Sequence, residues 1–135
     1  MNELQERIER FLAARRFAVV GASRDRAKYG NKVLRAYLQN GRDVVAVNPN
    51  VDRIEGVPSY ADLRSLPEPV DAVSIVTPPA VTGRVVDEAA ELGIRHVWLQ
   101  PGAESDPAIA RAEGAAMDLI AGGPCVLVAL GFRDE

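Results

Sequence analysis

Between positions 21 and 32 the chain sets Gly21, Ala22 and Ser23 ahead of Arg24, Arg26, Lys28, Tyr29 and Gly30, with Lys32 one turn further on. Small residues let backbone N–H groups come close to a ligand, and the basic side chains add charge. The mixture suits an oxyanion such as phosphate. The stretch is preceded by Phe17-Ala18-Val19-Val20, an apolar run of strand type. It is followed by residues 31–38, where Val33, Leu34, Tyr37 and Leu38 share a helical face. A strand that enters a helix through such a loop aims free N–H groups and the positive end of the helix dipole at one spot. The competing reading is an ordinary strand-to-helix turn with solvated charges, since surface Lys and Arg need no partner.

Composition removes other chemistries. A single cysteine, Cys125, cannot form an intramolecular disulfide, and with only one histidine, His96, no zinc cluster is expected. The net charge of −3 argues against nucleic acid as a partner. No segment approaches the roughly 20 apolar residues of a membrane span, and the amino-terminal residues lack an apolar run after their charges, so a cytoplasmic protein is expected. A chain of 135 residues fits one domain, here residues 1–135 with an outer helix within 1–16. No Ser-His-Asp or paired-carboxylate arrangement can be placed, so no catalytic residue is assigned.

Periodicity predicts a helix over 2–14 and strands over 17–20, 43–47, 70–76, 94–99 and 117–121. Further helices are predicted over 31–38, 59–66, 80–92 and 106–113. The run 126–130 reads either as an edge strand or as a tail packed across the core. Alternating strands and helices with almost wholly apolar strands indicate an α/β fold, a doubly wound, Rossmann-like parallel sheet of about five strands in the order 3-2-1-4-5 with helices on both faces. Ligands of such sheets sit beyond the carboxyl ends of the strands, where the order reverses between strands 1 and 4. The loops at Gly21, Asn48-Pro49, Thr77-Pro78, Gln100-Pro101-Gly102 and 122–125 would gather there. His96, at the amino end of its strand, and Asp71 would lie at the opposite end, and Trp98 is expected in the core.

A dinucleotide site expects G-x-G-x-x-G after strand 1 and an acid after strand 2. Here Gly21 is followed next by Gly30, and strand 2 ends in Asn48, a neutral amide that tolerates a phosphate on the adenosine ribose. The basic loop suits a ligand with more phosphate than NAD carries. Ser23 and Thr77 read as hydrogen-bond donors to phosphate or backbone.

In Ala18-Val19-Val20-Gly21-Ala22-Ser23, Arg26, Tyr29-Gly30, Val47-Asn48-Pro49-Asn50, Val70-Asp71-Ala72-Val73 and Val97-Trp98-Leu99-Gln100 with Gly102, the chain resembles the small stand-alone CoA-binding proteins. Their domain is similar to the nucleotide-binding domain of the succinyl-CoA synthetase alpha subunit. The resemblance runs from Phe17 to Cys125. It implies coenzyme A as ligand, with pyrophosphate at Gly21, Ala22, Ser23, Arg26, Lys28, Tyr29 and Gly30 and the adenosine end near Asn48 and Pro49. Thr77, Pro78, Gln100 and Gly102 would complete the site. Three positions depart from the family: Lys28 stands where serine is usual, Thr77-Pro78 replaces Phe-Arg, and Gly-Gly-Pro-Cys replaces Asp-Arg-Cys. The implied function is non-catalytic binding of CoA or acyl-CoA, with a protein partner allowed. The alternative is an NAD(P)-binding oxidoreductase module, or an acyl-CoA ligase-type fragment that needs a catalytic partner. Cys125 is expected near the sheet's carboxyl edge, either as a thiol that pairs with CoA or as a small packed hydrophobe.

Overall fold

The computed structural model describes residues 2–135. Seven strands form one sheet: β1 (Arg16–Val20), β2 (Asp43–Val47), β3 (Arg53–Ile54), β4 (Val57–Tyr60), β5 (Ala72–Ile75), β6 (His96–Leu99) and β7 (Asp118–Ile120). Their spatial order is β3-β4-β2-β1-β5-β6-β7, and every pairing is parallel except β3 with β4. The α/β doubly wound class stands, with the count and order corrected. The strand expected to lie outside β2 instead pairs with β1 on its other side, matching Phe17 with Ala72 and Val20 with Ile75. The place beside β2 belongs to β4. Its Val-Pro-Ser-Tyr reads poorly as a strand because proline lacks a donor, but Pro58 faces only the short edge strand β3.

The expected helix over 59–66 is therefore partly strand. Only Leu63–Ser65 turns, as a 3-10 helix capped by Asp62, whose carboxylate accepts from the Ser65 N–H at 2.8 Å. The ambiguous run 126–130 is a short helix, α5 (Val126–Ala129), which buries Val126 completely. It is a tail packed on the core rather than an edge strand.

Strand alternation sends side chains to two cores. Phe17 and Val19 join Val33, Leu34 and Tyr37 of α2 (Tyr29–Gln39), Phe11 of α1 (Glu3–Leu12) and Trp98 on one face. Ala18 and Val20 join Val85, Val86 and Ala89 of α3 (Pro79–Glu91) and Ala108 and Ala112 of α4 (Asp106–Gly114) on the other. The outer helix α1 starts in a capping box between Asn2 and Gln5 and is tied down by Arg10 on the Asp118 carboxylate, 2.8 Å away. His96 lies at the amino end of β6 with Nδ1 3.5 Å from Asp118. Asp71 accepts from the Arg15 and Arg16 N–H groups at the end of the sheet where it was expected.

Candidate functional site

The chain runs outward from β1 through β2 to the edge strand β3, comes back as β4 beside β2, and then crosses to β5 on the other side of β1, so the sheet's order reverses between β1 and β5. Beyond the carboxyl ends of these strands lies a cavity of about 600 Å³. Ten of the thirteen residues expected at a site line it: Gly21, Ala22, Ser23, Lys28, Tyr29, Gly30, Asn48, Pro49, Thr77 and Pro78. Val20, Val47, Ala61, Val76 and Val85 give it apolar walls.

Two glycines make this mouth possible. Gly21 has φ +95°, and a Cβ there would stand 2.6 Å from the Val76 carbonyl oxygen. A Cβ on Gly30 would stand 2.1 Å from the carbonyl oxygen of Gly21. The first turn of α2 thus rests on the end of β1, and the spacing from Gly21 to Gly30 is that of a longer loop folded back on itself. Within the loop, the Asp25 N–H donates to Ser23 Oγ, the Ala27 N–H to Asp25 Oδ1 and the Lys28 N–H to the Asp25 carbonyl.

The helix ends differ in a way that bears on binding. Asn2 caps α1 and Ser105 caps α4 with side-chain oxygens, whereas α2 begins at Lys28 and α3 at Pro78 without a side-chain cap. Both uncapped ends line the cavity. Two helix dipoles therefore point at the space that Lys28 borders; the free N–H groups come mainly from Tyr29 and Gly30 of α2, because Pro78 and Pro79 have none and the Val81 and Thr82 N–H groups donate to the Pro78 carbonyl. Among the described residues no carboxylate lies within 4 Å of the Lys28 ammonium. Acids do line the far wall, but Glu88 accepts from the Arg64 N–H and guanidinium, and Asp62 caps the 3-10 turn.

A buried polar network supports the loop from beneath. Asn31, fully buried, donates through Nδ2 to the Ser23 carbonyl at 2.8 Å and to Glu55 at 3.1 Å. Arg35 donates to Asn31 Oδ1, to the Arg26 carbonyl and to Asp134. The Asn31 hydrogen bond, with Arg26 beside it, holds the Glu55 carboxyl below the usual carboxylate range against the opposing effect of burial. Asn31, Arg35 and Glu55 were not expected at the site. Asn31 and Arg35 sit four apart on a helix, a signal present in the sequence; Glu55 is brought in by the β3–β4 turn and had none.

Asn48 uses both ends of its amide. Nδ2 donates to the Ala22 carbonyl at 2.9 Å and Oδ1 accepts from the Asn50 N–H at 2.8 Å, so it ties the loop after β2 to the loop after β1. Three expected site residues do not line the cavity. Arg26 reaches outward to Glu55 at 2.6 Å and to the Glu135 carbonyl at 2.7 Å. Gln100 is fully buried; its Oε1 accepts from the Tyr29 hydroxyl and the Val126 N–H. Gly102 is exposed, and its N–H donates to Glu104. Cys125 is also set apart from the cavity, half-buried with Sγ 2.7 Å from the Tyr29 hydroxyl. Burial first, then the contact with Cys125, pushes the Tyr29 phenol well above its ordinary value.

A family model described as the CoA binding domain matches residues 15–131. The chain belongs to this CoA binding domain family. It is 35% identical over 81 residues to the ADP-forming acetate–CoA ligase I of Archaeoglobus fulgidus, a match covering 60% of this chain and 12% of that one. It is 31% identical over 91 residues to the alpha subunit of the ADP-forming acetate–CoA ligase II of Pyrococcus furiosus, covering 67% and 20%. The chain thus spans only a small part of these ligases' own length. A solved structure of a conserved hypothetical protein from Pyrococcus furiosus superposes with a TM-score of 0.80 at 43% identity, covering 85% of this chain and 98% of that one. Among the described residues no helix is long and apolar enough to cross a membrane.

Proposed function

We propose that the chain binds coenzyme A in the cavity at the β1–β5 reversal, as a binding module without catalysis of its own. The observation that carries this reading is the convergence of the two uncapped helix starts and Lys28 on one cavity. Two such ends and a cation suit a pyrophosphate better than a single charge would. About 600 Å³ is within the roughly 300–1,000 Å³ of small-molecule sites. The apolar walls at Val20, Val47 and Val85 supply a surface for the adenine ring, and no acid follows β2 to repel the ribose phosphate. The Thr77 hydroxyl is 2.8 Å from that of Thr82, whose own hydrogen goes to the Ala103 carbonyl, so Thr77 donates to its neighbour, with no imidazole beside it.

Calorimetric titration with CoA, dephospho-CoA, NAD and NADP tests the assignment. CoA is expected to bind at least tenfold more tightly than NAD. Binding of NAD with no response to CoA would overturn the reading in favour of a dinucleotide module.

The structure changes what Asn48 is expected to do. In Asn48→Asp the donor to the Ala22 carbonyl is replaced by a charged acceptor, so two mouth loops lose their tie. CoA and dephospho-CoA should weaken by a similar factor, about five- to tenfold, the scale of one hydrogen bond of roughly 1–1.5 kcal/mol. A loss confined to CoA would instead give Asn48 direct contact with the 3′-phosphate.

A second reading has its own support: the matched segment is 12% and 20% of two longer ligases. In that setting the module presents CoA to a catalytic group on another domain or chain. Mixing the protein with a partner ligase domain and following acyl-CoA formation separates the two, since a pure binding module yields none.

A further inference from the structure

The loop that lines the cavity carries a cation that the chain's own acid has taken. Arg26 lies in the loop between Ser23 and Lys28, both of which line the cavity, yet its guanidinium pairs outward with Glu55 at 2.6 Å. We propose that Glu55 stands in for phosphate at Arg26, so that Arg26 is a reserve phosphate ligand released when CoA displaces the carboxylate. The proposal rests on the cavity being the CoA site.

Three observations support it. Glu55 occupies the first position of the two-residue turn between β3 and β4, at φ +50°, a left-handed conformation that favours glycine or asparagine. An acid therefore stands where backbone geometry prefers another residue. The carboxylate is the fixed partner: its second oxygen accepts from Asn31 Nδ2, and Asn31 also holds the Ser23 carbonyl of the phosphate loop. The arginine is the movable one, since its side chain is 51% exposed against 20% for Glu55. Exposed ion pairs are marginal in water, and guanidinium accepts phosphate in the same forked geometry as carboxylate. Exchange of one oxyanion for the other leaves the Asn31 bridge, and with it the loop, in place.

The test is a double-mutant cycle read by CoA titration on the full chain. Glu55→Gln keeps an acceptor for Asn31 but removes the charge that holds Arg26. It is expected to bind CoA three- to tenfold more tightly than the parent. In the Arg26→Ala background the same change should have no effect, because the restrained group is gone. Unchanged or weaker binding in Glu55→Gln, with an unaltered melting temperature, overturns the proposal. So does tightening that persists without Arg26, which would make Glu55 a general repulsive charge. Should Glu55→Gln melt early, Glu55→Asn, suited to the left-handed turn, replaces it with the same expected outcomes. A parent chain that takes no CoA overturns the site reading itself, a result distinct from either failure of the cycle.

Discussion

Gly30→Ala is expected to lower stability by about 3 kcal/mol or more and the melting temperature by roughly 10–15 °C. The reason is local. The added methyl would sit 2.1 Å from the Gly21 carbonyl oxygen, a backbone atom that cannot rotate away, so α2 must lift off the end of β1. Gly21 cannot retreat, because its own Cα faces the Val76 carbonyl at the mouth of β5. Helix propensity acts the other way, since alanine exceeds glycine by about 1 kcal/mol in a helix interior, and Gly30 lies in the first turn of α2. The clash outweighs that gain. CoA affinity should fall with it, since lifting the helix moves its free N–H groups away from the cavity. Thermal melting and CoA titration of one preparation check both effects, and a parent-like melting temperature would show that the helix slides at little cost.

Lys28→Ala should weaken CoA by about 1.5–3 kcal/mol, roughly 10- to 150-fold, and flatten the salt dependence of binding. Arg26→Ala should cost less. This reverses the order that residue type alone suggests: Lys28 lines the cavity with no carboxylate close by among the described residues, while Arg26 is already paired with Glu55. Affinity measured at two salt concentrations for both variants decides between them. A larger loss for Arg26→Ala would mean that the guanidinium turns into the site at little cost and that Lys28 stays in solvent.

Local pattern made much of this protein legible. Phe17-Ala18-Val19-Val20 read as a buried strand, and Gly21 through Gly30 followed by Val33, Leu34 and Tyr37 read as a loop and an amphipathic helix. The carboxyl-end loops, Gly21, Asn48 and Thr77 among them, were readable as one mouth because parallel topology leaves them no other side. Long-range pairing was not readable. β4 carries a proline and only four residues, so its place beside β2 depends on the sheet edge that it meets, and the strand order followed from that placement. Side-chain direction was equally hidden. Arg26 and Lys28 are two residues apart in one loop with the same charge sign. Only the folded chain, by bringing Glu55 from a hairpin and Glu135 from the far end of the sequence to one side of that loop, turns Arg26 outward and leaves Lys28 at the cavity. Residue type and spacing therefore determined that small and basic residues gather at the carboxyl end of β1. Tertiary contacts decided which cations face it, because a flexible charged side chain goes to whichever opposite charge the fold brings within reach.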